Sequence, residues 1–113
     1  MAQYLLAVHH APGRYGADST LAPEQAFAQV DAFNKALIDA GQLVYACGLQ
    51  EPATAVTASA EGTLGDGPLY PDAPQLGGFW VIEAATRTQA ESIAVRGSAA
   101  CGQDLELRPM QGE

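Results

Sequence analysis

The order in which helix and strand patterns alternate constrains the fold of this chain more than any other feature of its sequence. The strongest helix pattern covers residues 22–41, APEQAFAQVDAFNKALIDAG, where Pro23 and Glu24 suit the first turn and Gly41 suits the end. Apolar residues at three- and four-residue spacing predict one buried stripe, formed by Phe27, Val30, Phe33 or Asn34, Leu37 and Ile38.

A second helix is predicted over residues 86–97, TRTQAESIAVRG. Its segment Thr88-Gln89-Ala90-Glu91 has the form of a capping box, in which a threonine and a glutamate satisfy backbone N–H groups at a helix start. The side expected to face a sheet consists of Ala90, Ile93, Ala94 and Gly97.

Short apolar or β-branched runs surround these two helices and predict strands. The predicted strands are 2–8, 42–49, 53–59, 77–84 and 104–110. In the last of them Leu105 and Leu107 alternate with Glu106 and Arg108, as expected for a half-exposed strand. Between the third and fourth, the stretch 63–79 holds four glycines and three prolines, which exclude a helical crossover and favour a hairpin.

The resulting order is β-α-β, hairpin, β-α-β, which predicts one α+β domain over residues 1–113. Without the hairpin this order is the ferredoxin-like split βαβ pattern. Two βαβ crossovers of the usual hand place both helices on the same face of the sheet. The other face, with Tyr4 or Leu5 and an aromatic from Phe79 or Trp80, is then uncovered and apolar, and we expect a second copy to bury it in a homodimer.

Composition narrows the possible partners and the location. With five Lys and Arg residues against thirteen Asp and Glu and a net charge of −8, the chain is poorly suited to bind nucleic acid or an anionic membrane surface. The N-terminal run MAQYLLAVHH lacks a cationic start and is too short for a signal peptide, so a cytoplasmic location is expected. Cys47 and Cys101 have no metal-binding spacing and are expected to be free thiols.

Several spaced motifs resemble the DGPF-type members of the YCII-related family. Asp66-Gly67-Pro68 matches that family's Asp-Gly-Pro-Phe turn except that Leu69 stands where Phe is usual, and Leu-Gly-Gly-Phe follows at residues 76–79. The segment AGQLVYACGLQEPATAVT and the ending LELRPM are also similar to family patterns. The resemblance covers nearly the whole chain.

The resemblance implies a dimeric, α+β barrel-like assembly of ferredoxin-like domains, with a cleft at the dimer interface. It implies no particular activity, because the activity of the family is mostly undetermined. Some relatives carry a His-Asp pair suggested to be catalytic. The corresponding positions in this chain fall near Asp31 and near Arg96-Gly97, so neither residue of the pair is matched. The resemblance also implies regulation linked to sigma factors, since DGPF-type members are often encoded beside alternative sigma factors.

The candidate site residues come from the turn and from the end of the first strand. In the turn, Asp66 can accept bonds from backbone N–H groups ahead of it, Gly67 supplies a positive φ and Pro68 fixes the exit. These properties build a rigid loop whatever its use, or hold Asp66 as a fixed carboxylate at a cleft. His9 and His10 point to opposite sides of a regular strand, so only one can serve a given site, and His9 is the preferred base.

Other candidates could line a ligand pocket but have simpler structural roles. Tyr15 and Tyr45 are candidate ligand-binding residues, or interface packing. Arg96 could bind an anionic group, although ion pairing with the abundant acids is the simpler expectation for it and for Arg108. Cys47 is expected to be a small buried hydrophobe. No metal site and no cofactor are predicted.

Two functional hypotheses follow. The first is a non-catalytic dimer that binds a small ligand or serves regulation. The alternative is a cofactor-free enzyme that performs acid–base chemistry in a dimer-interface cleft, with His9 and Asp66 as the acting groups. The alternative requires these two side chains to converge on one cleft, in one chain or across the dimer.

Overall fold

A computed structural model describes residues 1–112 and contains two helices and six strands within them. In chain order the elements are β1 (Ala2–His10), α1 (Pro23–Asp39), β2 (Leu43–Gly48), β3 (Val56–Ala58), β4 (Leu64–Asp66), β5 (Gln75–Ala84), α2 (Arg87–Cys101) and β6 (Leu105–Pro109), with a short 3-10 turn at Pro52–Thr54. The predicted α+β class and the predicted order of elements, including the hairpin, are confirmed.

Four strands form the main sheet in the order β2-β5-β1-β6, and every neighbouring pair is antiparallel. Strand β5 therefore lies between β1 and β2, the two strands that α1 connects. Strand β1 likewise lies between β5 and β6, which α2 connects. The hairpin of β3 and β4 forms a separate two-stranded sheet, with Val56 opposite Asp66.

The core lies between the main sheet and the two helices. Alternate residues of β1 and β5 enter it, including Leu6, Trp80 and Ile82, because successive side chains of a strand point to opposite faces. Phe33 and Leu37 of α1 and Ala90 and Ile93 of α2 cover these residues, and the Phe33 and Trp80 rings meet edge to face at 5.5 Å.

Within residues 1–112, no helix covers the opposite face of the sheet. Because Tyr4 and Trp80 belong to the core, it is Leu5 and Phe79 that this uncovered face presents. Leu5 pairs with Val81, which pairs in turn with Tyr45, so the middle of the face is apolar. Polar side chains of Gln3, Glu83, Glu106 and Arg108 surround it. We call this surface, centred on Leu5, Tyr45, Phe79 and Val81, the open sheet face.

The predicted stripe of α1 is only partly correct. Phe33 and Leu37 are buried and Val30 packs against the core, but Ile38 is 59% exposed and Phe27 is 80% exposed. Ile38 follows Leu37 by one residue, which turns it about 100° around the helix and away from the sheet. Phe27 lies in a shallow groove next to the loop before α1, not over the sheet.

Helix α2 begins and ends at residues other than those predicted. Its N-cap is Thr86, whose hydroxyl accepts a hydrogen bond from the Gln89 N–H at 3.1 Å, while Gln89 Oε1 accepts one from the Ala85 N–H at 2.7 Å. This capping box stands two residues before the predicted one, because the backbone of Thr86 is still extended and the helix begins at Arg87. The helix passes Gly97 and ends at Gly102, whose φ of 69° gives a left-handed cap.

Gly97 lies within α2, and its lack of a side chain leaves room for residues of two neighbouring elements. A β-carbon at this position would lie 3.0 Å from both Phe33 Cζ and Leu105 Cδ1. The glycine therefore allows α1 and β6 to approach α2 closely. Within residues 1–112, neither helix combines the length and the apolar composition needed to cross a membrane.

Candidate functional site

A cleft opens between α1 and the main sheet, on the side that the helices cover. Its volume is about 260 Å³. The side chains and backbone that line it come from five elements and the loop after α2: Val8, Val30, Asn34, Ala46, Cys47, Gly48, Gly77, Gly78, Phe79, Trp80, Cys101 and Gln103.

Two consecutive glycines form the floor of the cleft. Gly78 lies so close to β2 that an added β-carbon would be 3.1 Å from the Cys47 carbonyl oxygen. Gly77 is the extra residue of a β-bulge, because Val8 pairs with Gly78 and His9 with Leu76. The Leu-Gly-Gly-Phe motif at 76–79 thus has a structural cause, since side chains at either glycine would collide with neighbours or fill the cleft.

A hydrogen bond between Trp80 and Asn34 organises the polar wall. Trp80 Nε1 donates to Asn34 Oδ1 at 2.6 Å. Because an indole N–H can only donate, the amide oxygen of Asn34 must face the tryptophan, and its Nδ2 group must face away. Within residues 1–112 no protein oxygen accepts a hydrogen bond from this Nδ2 group and it is not buried, so it is open to water and to a ligand of the cleft that Asn34 lines.

Both cysteines of the chain contribute to the cleft and are free thiols, but the Cys47 side chain points to the other side of the sheet with its partner Phe79, so Cys47 lines the cleft through its backbone. Cys47 is half-buried, and Cys101 is buried with its sulfur 3.7 Å from the Gln103 carbonyl oxygen. Burial raises the pKa of the Cys101 thiol, so this group is neutral at physiological pH. In the described part of the chain, no Asp, Glu, Lys, Arg or His side chain lines the cleft.

The two histidines separate, as expected for neighbours on a strand. His9 is exposed and lines a shallow surface cleft with Asp18, Thr20 and residues 102–104. His10 is 4% exposed, meets the Tyr15 ring edge to face at 5.5 Å, and lies against Gly77. Its Nδ1 is 3.0 Å from the Ala11 carbonyl oxygen, while Nε2 has no hydrogen-bond partner within residues 1–112.

Tyr15 and Asp18 fix the loop that follows the histidines. The Tyr15 hydroxyl donates to the Leu49 carbonyl at 2.7 Å, which ties this loop to the end of β2. Asp18 accepts from the Ala11 N–H at 2.8 Å and from Arg14 Nε at 3.0 Å. The Ala11 N–H, followed by the Arg14 guanidinium, holds the pKa of the Asp18 carboxyl below its ordinary value. Tyr15 lines a groove with His10 and residues 51–53, outside the main cleft.

The Asp-Gly-Pro turn lies at the end of the hairpin, away from the main cleft. Gly67 has the expected positive φ, 92°, and Pro68 is half-buried. Within residues 1–112 the exposed Asp66 side chain accepts no hydrogen bond from the turn, contrary to expectation, while its role as a site residue stays a prediction. Pairing with Val56 holds its backbone extended, and the turn is closed instead by the Thr57 hydroxyl, which donates to the Gly67 carbonyl at 2.9 Å.

Tyr45 and Arg96 lie on different sides of the molecule. Tyr45 is 58% exposed on the open sheet face, where its ring is 6.3 Å from that of Phe79. Arg96 forms no ion pair within residues 1–112, contrary to expectation, because its place on α2 brings the guanidinium over the Phe33 ring at 6.0 Å. Arg108 does pair with an acid, Glu106, at 3.4 Å.

The structure therefore brings few of the predicted site residues together. His9, Tyr15, Tyr45, Asp66 and Arg96 occupy separate surfaces of one chain. The cleft is formed by residues that the sequence analysis treated as packing or did not single out, mainly Asn34 and Gln103. The one sequence signal that could have indicated the cleft was Asn34, a polar residue at a position of the apolar stripe of α1.

Neither metal-binding geometry nor similarity to known proteins identifies a further functional site. In the described range of the chain, no three His, Cys, Asp or Glu residues group closely enough to hold a metal ion. No protein-family model matches the chain, and no curated protein is similar enough to count as a relative.

Proposed function

We propose that this chain forms a homodimer that binds a small ligand in the cleft between α1 and the main sheet. We further propose that it is a YCII-related, DGPF-type protein with a ferredoxin-like domain in a dimeric α+β barrel-like assembly. The single observation that carries the binding function is the cleft itself, a concave apolar site with one oriented and unused donor.

The composition of the cleft wall supports ligand binding. Small-molecule sites are typically concave and mostly apolar, with a few placed polar groups. Val8, Val30 and Ala46 supply the apolar wall here, while Asn34 and Gln103 supply amides. The cleft opens on the helix side of the sheet and shares only Phe79 with the residues that define the proposed dimer face, so a ligand and a second copy would occupy mainly different surfaces.

The shape of the molecule supports the homodimer. The accessible surface is 7328 Å², whereas folded monomers of 11.7 kDa have about 5,900 Å². The radius of gyration is 15.3 Å, against about 13 Å for a globular chain of this length. The excess surface, about 1,400 Å², is more than the roughly 800 Å² that each partner buries in a standard interface.

We propose that a second copy covers the open sheet face. Both helices pack on the other face of the sheet, so within residues 1–112 of one chain this face has no helix over it. The molecule is only 18 Å thick along its shortest axis. Leu5, Phe79 and Val81 are half-buried there within one chain, and Tyr45 is largely exposed. Antiparallel sheets can tolerate one wet face, but they usually place alternating polar residues on it.

A binding role is preferred to the enzyme alternative with His9 and Asp66. In one chain these residues line no common cleft, and Asp66 lies on the exposed hairpin. The enzyme alternative therefore depends on the second copy to bring them together. A cytoplasmic location belongs to the proposal through the N-terminal sequence, and regulation linked to sigma factors through the family resemblance alone. The net charge of −8 favours neither nucleic acid nor membrane partners.

Trp80 provides a direct test, because it is the only tryptophan of the chain and its indole N–H lies in the cleft wall. Its signal in a two-dimensional ¹H–¹⁵N NMR spectrum is followed while methylenecyclohexane or cyclohexanone is added. We expect saturable shifts of this signal. Val30→Phe fills the cleft and should weaken binding at least tenfold, whereas Val95→Phe on the exposed side of α2 should leave it unchanged. If neither probe shifts the indole signal, the cleft is not a binding site.

A further inference from the structure

We infer that the ligand of the cleft is a small neutral molecule with a carbonyl group, and that Asn34 Nδ2 donates a hydrogen bond to its oxygen. This inference rests on the proposed binding function and specifies the class of ligand. It follows from three properties of the wall: its charge, its hydrogen-bond donors and its volume.

The charge of the wall favours a neutral ligand. No ionisable side chain other than the Cys101 thiol lines the cleft in the described part of the chain, and burial keeps this thiol protonated. A charged ligand would lose its hydration without gaining an opposite charge, and this loss is costly in an apolar site. The net charge of −8 further disfavours an anion.

The donors of the wall favour a ligand with an acceptor oxygen. Trp80 occupies the oxygen of Asn34 and, by doing so, orients the Nδ2 group as a donor. The Trp80 N–H is itself used in that bond and is not available to a ligand. A carbonyl oxygen, which only accepts, is the simplest neutral partner for a fixed amide donor, and a ligand without an acceptor would leave that donor unpaired.

The volume of the cleft limits the size of the ligand. A cleft of 260 Å³ corresponds to the liquid volume of about nine water molecules, hence to a ligand of roughly ten non-hydrogen atoms. The apolar side chains of Val8, Val30 and Ala46 leave the remainder of such a molecule to be aliphatic or aromatic. Cyclic ketones, lactones and small amides have these properties.

The test compares probes of one shape and different chemistry. Cyclohexanone and methylenecyclohexane differ only in the replacement of the carbonyl oxygen by a CH₂ group, and cyclohexanecarboxylate and cyclohexylammonium add a charge of either sign. Affinities are measured from the shift of the Trp80 indole signal. We expect cyclohexanone to bind about five- to tenfold more tightly than the hydrocarbon, the range of one net hydrogen bond, and both ions to bind more weakly than cyclohexanone.

Asn34→Asp tests the donor directly. The substitution keeps an oxygen to accept from Trp80 but replaces Nδ2 with a second oxygen, so the cyclohexanone preference should disappear while methylenecyclohexane binding changes little. Gln29→Glu makes the same amide-to-carboxylate change at an exposed position of α1 and should leave both affinities unchanged.

The outcomes separate the ligand class from the binding function. Equal affinity for ketone and hydrocarbon in the unchanged protein, or tightest binding of either ion, would overturn the ligand class and leave the binding function standing. Retention of the ketone preference in the Asn34→Asp variant would overturn the role of Asn34. Absence of any shift with all four probes would overturn the binding function itself. The probe comparison needs no variant, so the inference is testable even if Asn34→Asp does not fold.

Discussion

At Gly78 the neighbouring strand leaves no room for a side chain. A β-carbon there would lie 3.1 Å from the Cys47 carbonyl oxygen and 3.3 Å from Gly48 Cα. Both contacts are with backbone atoms of β2, which cannot move aside without breaking the pairing of β2 with β5. Gly48 lies directly opposite, and a β-carbon added to it would meet no atom within 4 Å.

We therefore expect Gly78→Ala and Gly48→Ala to differ in their effect on stability. Gly78→Ala should lower the free energy of unfolding by about 1–3 kcal/mol because it overpacks the contact between the strands. Gly48→Ala should change it by less than about 0.5 kcal/mol. Urea unfolding of both variants at one protein concentration measures the difference, and equal stabilities would contradict the close contact at Gly78.

Asp18 is the residue whose ionisation is most directly tied to the fold. Its carboxylate accepts from the Ala11 N–H and from Arg14, and the first of these is the larger cause of its lowered pKa. Because the folded state favours the charged form, Asp18 stabilises the protein above the ordinary pKa of an aspartate. This contribution is lost as the pH falls through the lowered pKa of the folded state.

Asp18→Asn is accordingly expected to destabilise the protein near pH 7 and to have progressively less effect below about pH 4, near the ordinary aspartate value. Thermal unfolding of the unchanged protein and the variant between pH 7 and pH 3 measures this convergence. Asp31→Asn, which removes an exposed ion pair with Lys35, is the control and should cost less at pH 7. A constant difference across the pH range would attribute the Asp18 effect to packing.

The sequence before α2 contains two possible N-terminal capping boxes for the same helix. Threonines at 86 and 88 are each followed, three residues later, by Gln89 or Glu91, so both positions match the capping-box pattern. Thr86 is the one with extended backbone, at φ −137° and ψ 160°, and it caps the helix. The end of β5 at Ala84 selects between the two, since α2 then begins after only two connecting residues.

Substituting each threonine tests this assignment. Thr86→Ala should cost about 1 kcal/mol of stability because the Gln89 N–H loses its acceptor. Thr88→Ala should be neutral or slightly stabilising, since alanine is the better helix former inside the first turn. Chemical unfolding of the two variants provides the comparison, and a larger loss for Thr88→Ala would move the helix start to the predicted position.

At the scale of the whole molecule, the two faces of the sheet are in different environments. One is covered by α1 and α2, and the other presents Leu5, Tyr45, Phe79 and Val81 without a helix. The proposed dimer would bury the second face and leave the cleft on the first face open. Association and ligand binding can therefore be altered separately.

Val81→Glu places a charge in the middle of the open sheet face and should convert a dimer into a monomer. Val95→Glu makes the same change on α2, where the side chain is 71% exposed, and should leave the dimer intact. Native mass spectrometry of both variants and the unchanged chain reports the masses. Association through this face would be contradicted if the unchanged protein is a monomer. It would also be contradicted if the Val81→Glu variant remains a dimer.

Much of the fold could be predicted from sequence alone because it depends on local periodicity and turn chemistry. The two helices, the strand order along the chain, the positive φ of Gly41 and Gly67 and the buried side of α2 all follow from patterns within about fifteen residues. The ends of elements were less predictable. Phe27 and Ile38 belong to the apolar pattern of α1 but are exposed, because Phe27 lies beside the loop before the helix and Ile38 is turned away from the sheet.

The candidate site depended on tertiary structure. The orientation of the Asn34 amide depends on Trp80, forty-six residues away. The Trp80 indole N–H donates to Asn34 Oδ1, which leaves the Nδ2 group as the donor available to a ligand. The close approach of β2 to Gly78, the separation of His9 from Asp66 and the position of Arg96 over Phe33 likewise depend on which strands and helices meet. Sequence by itself determined the elements and their order, because short-range sterics and burial periodicity decide these. Only the tertiary structure decided which distant side chains share a cleft, because that depends on sheet order and register.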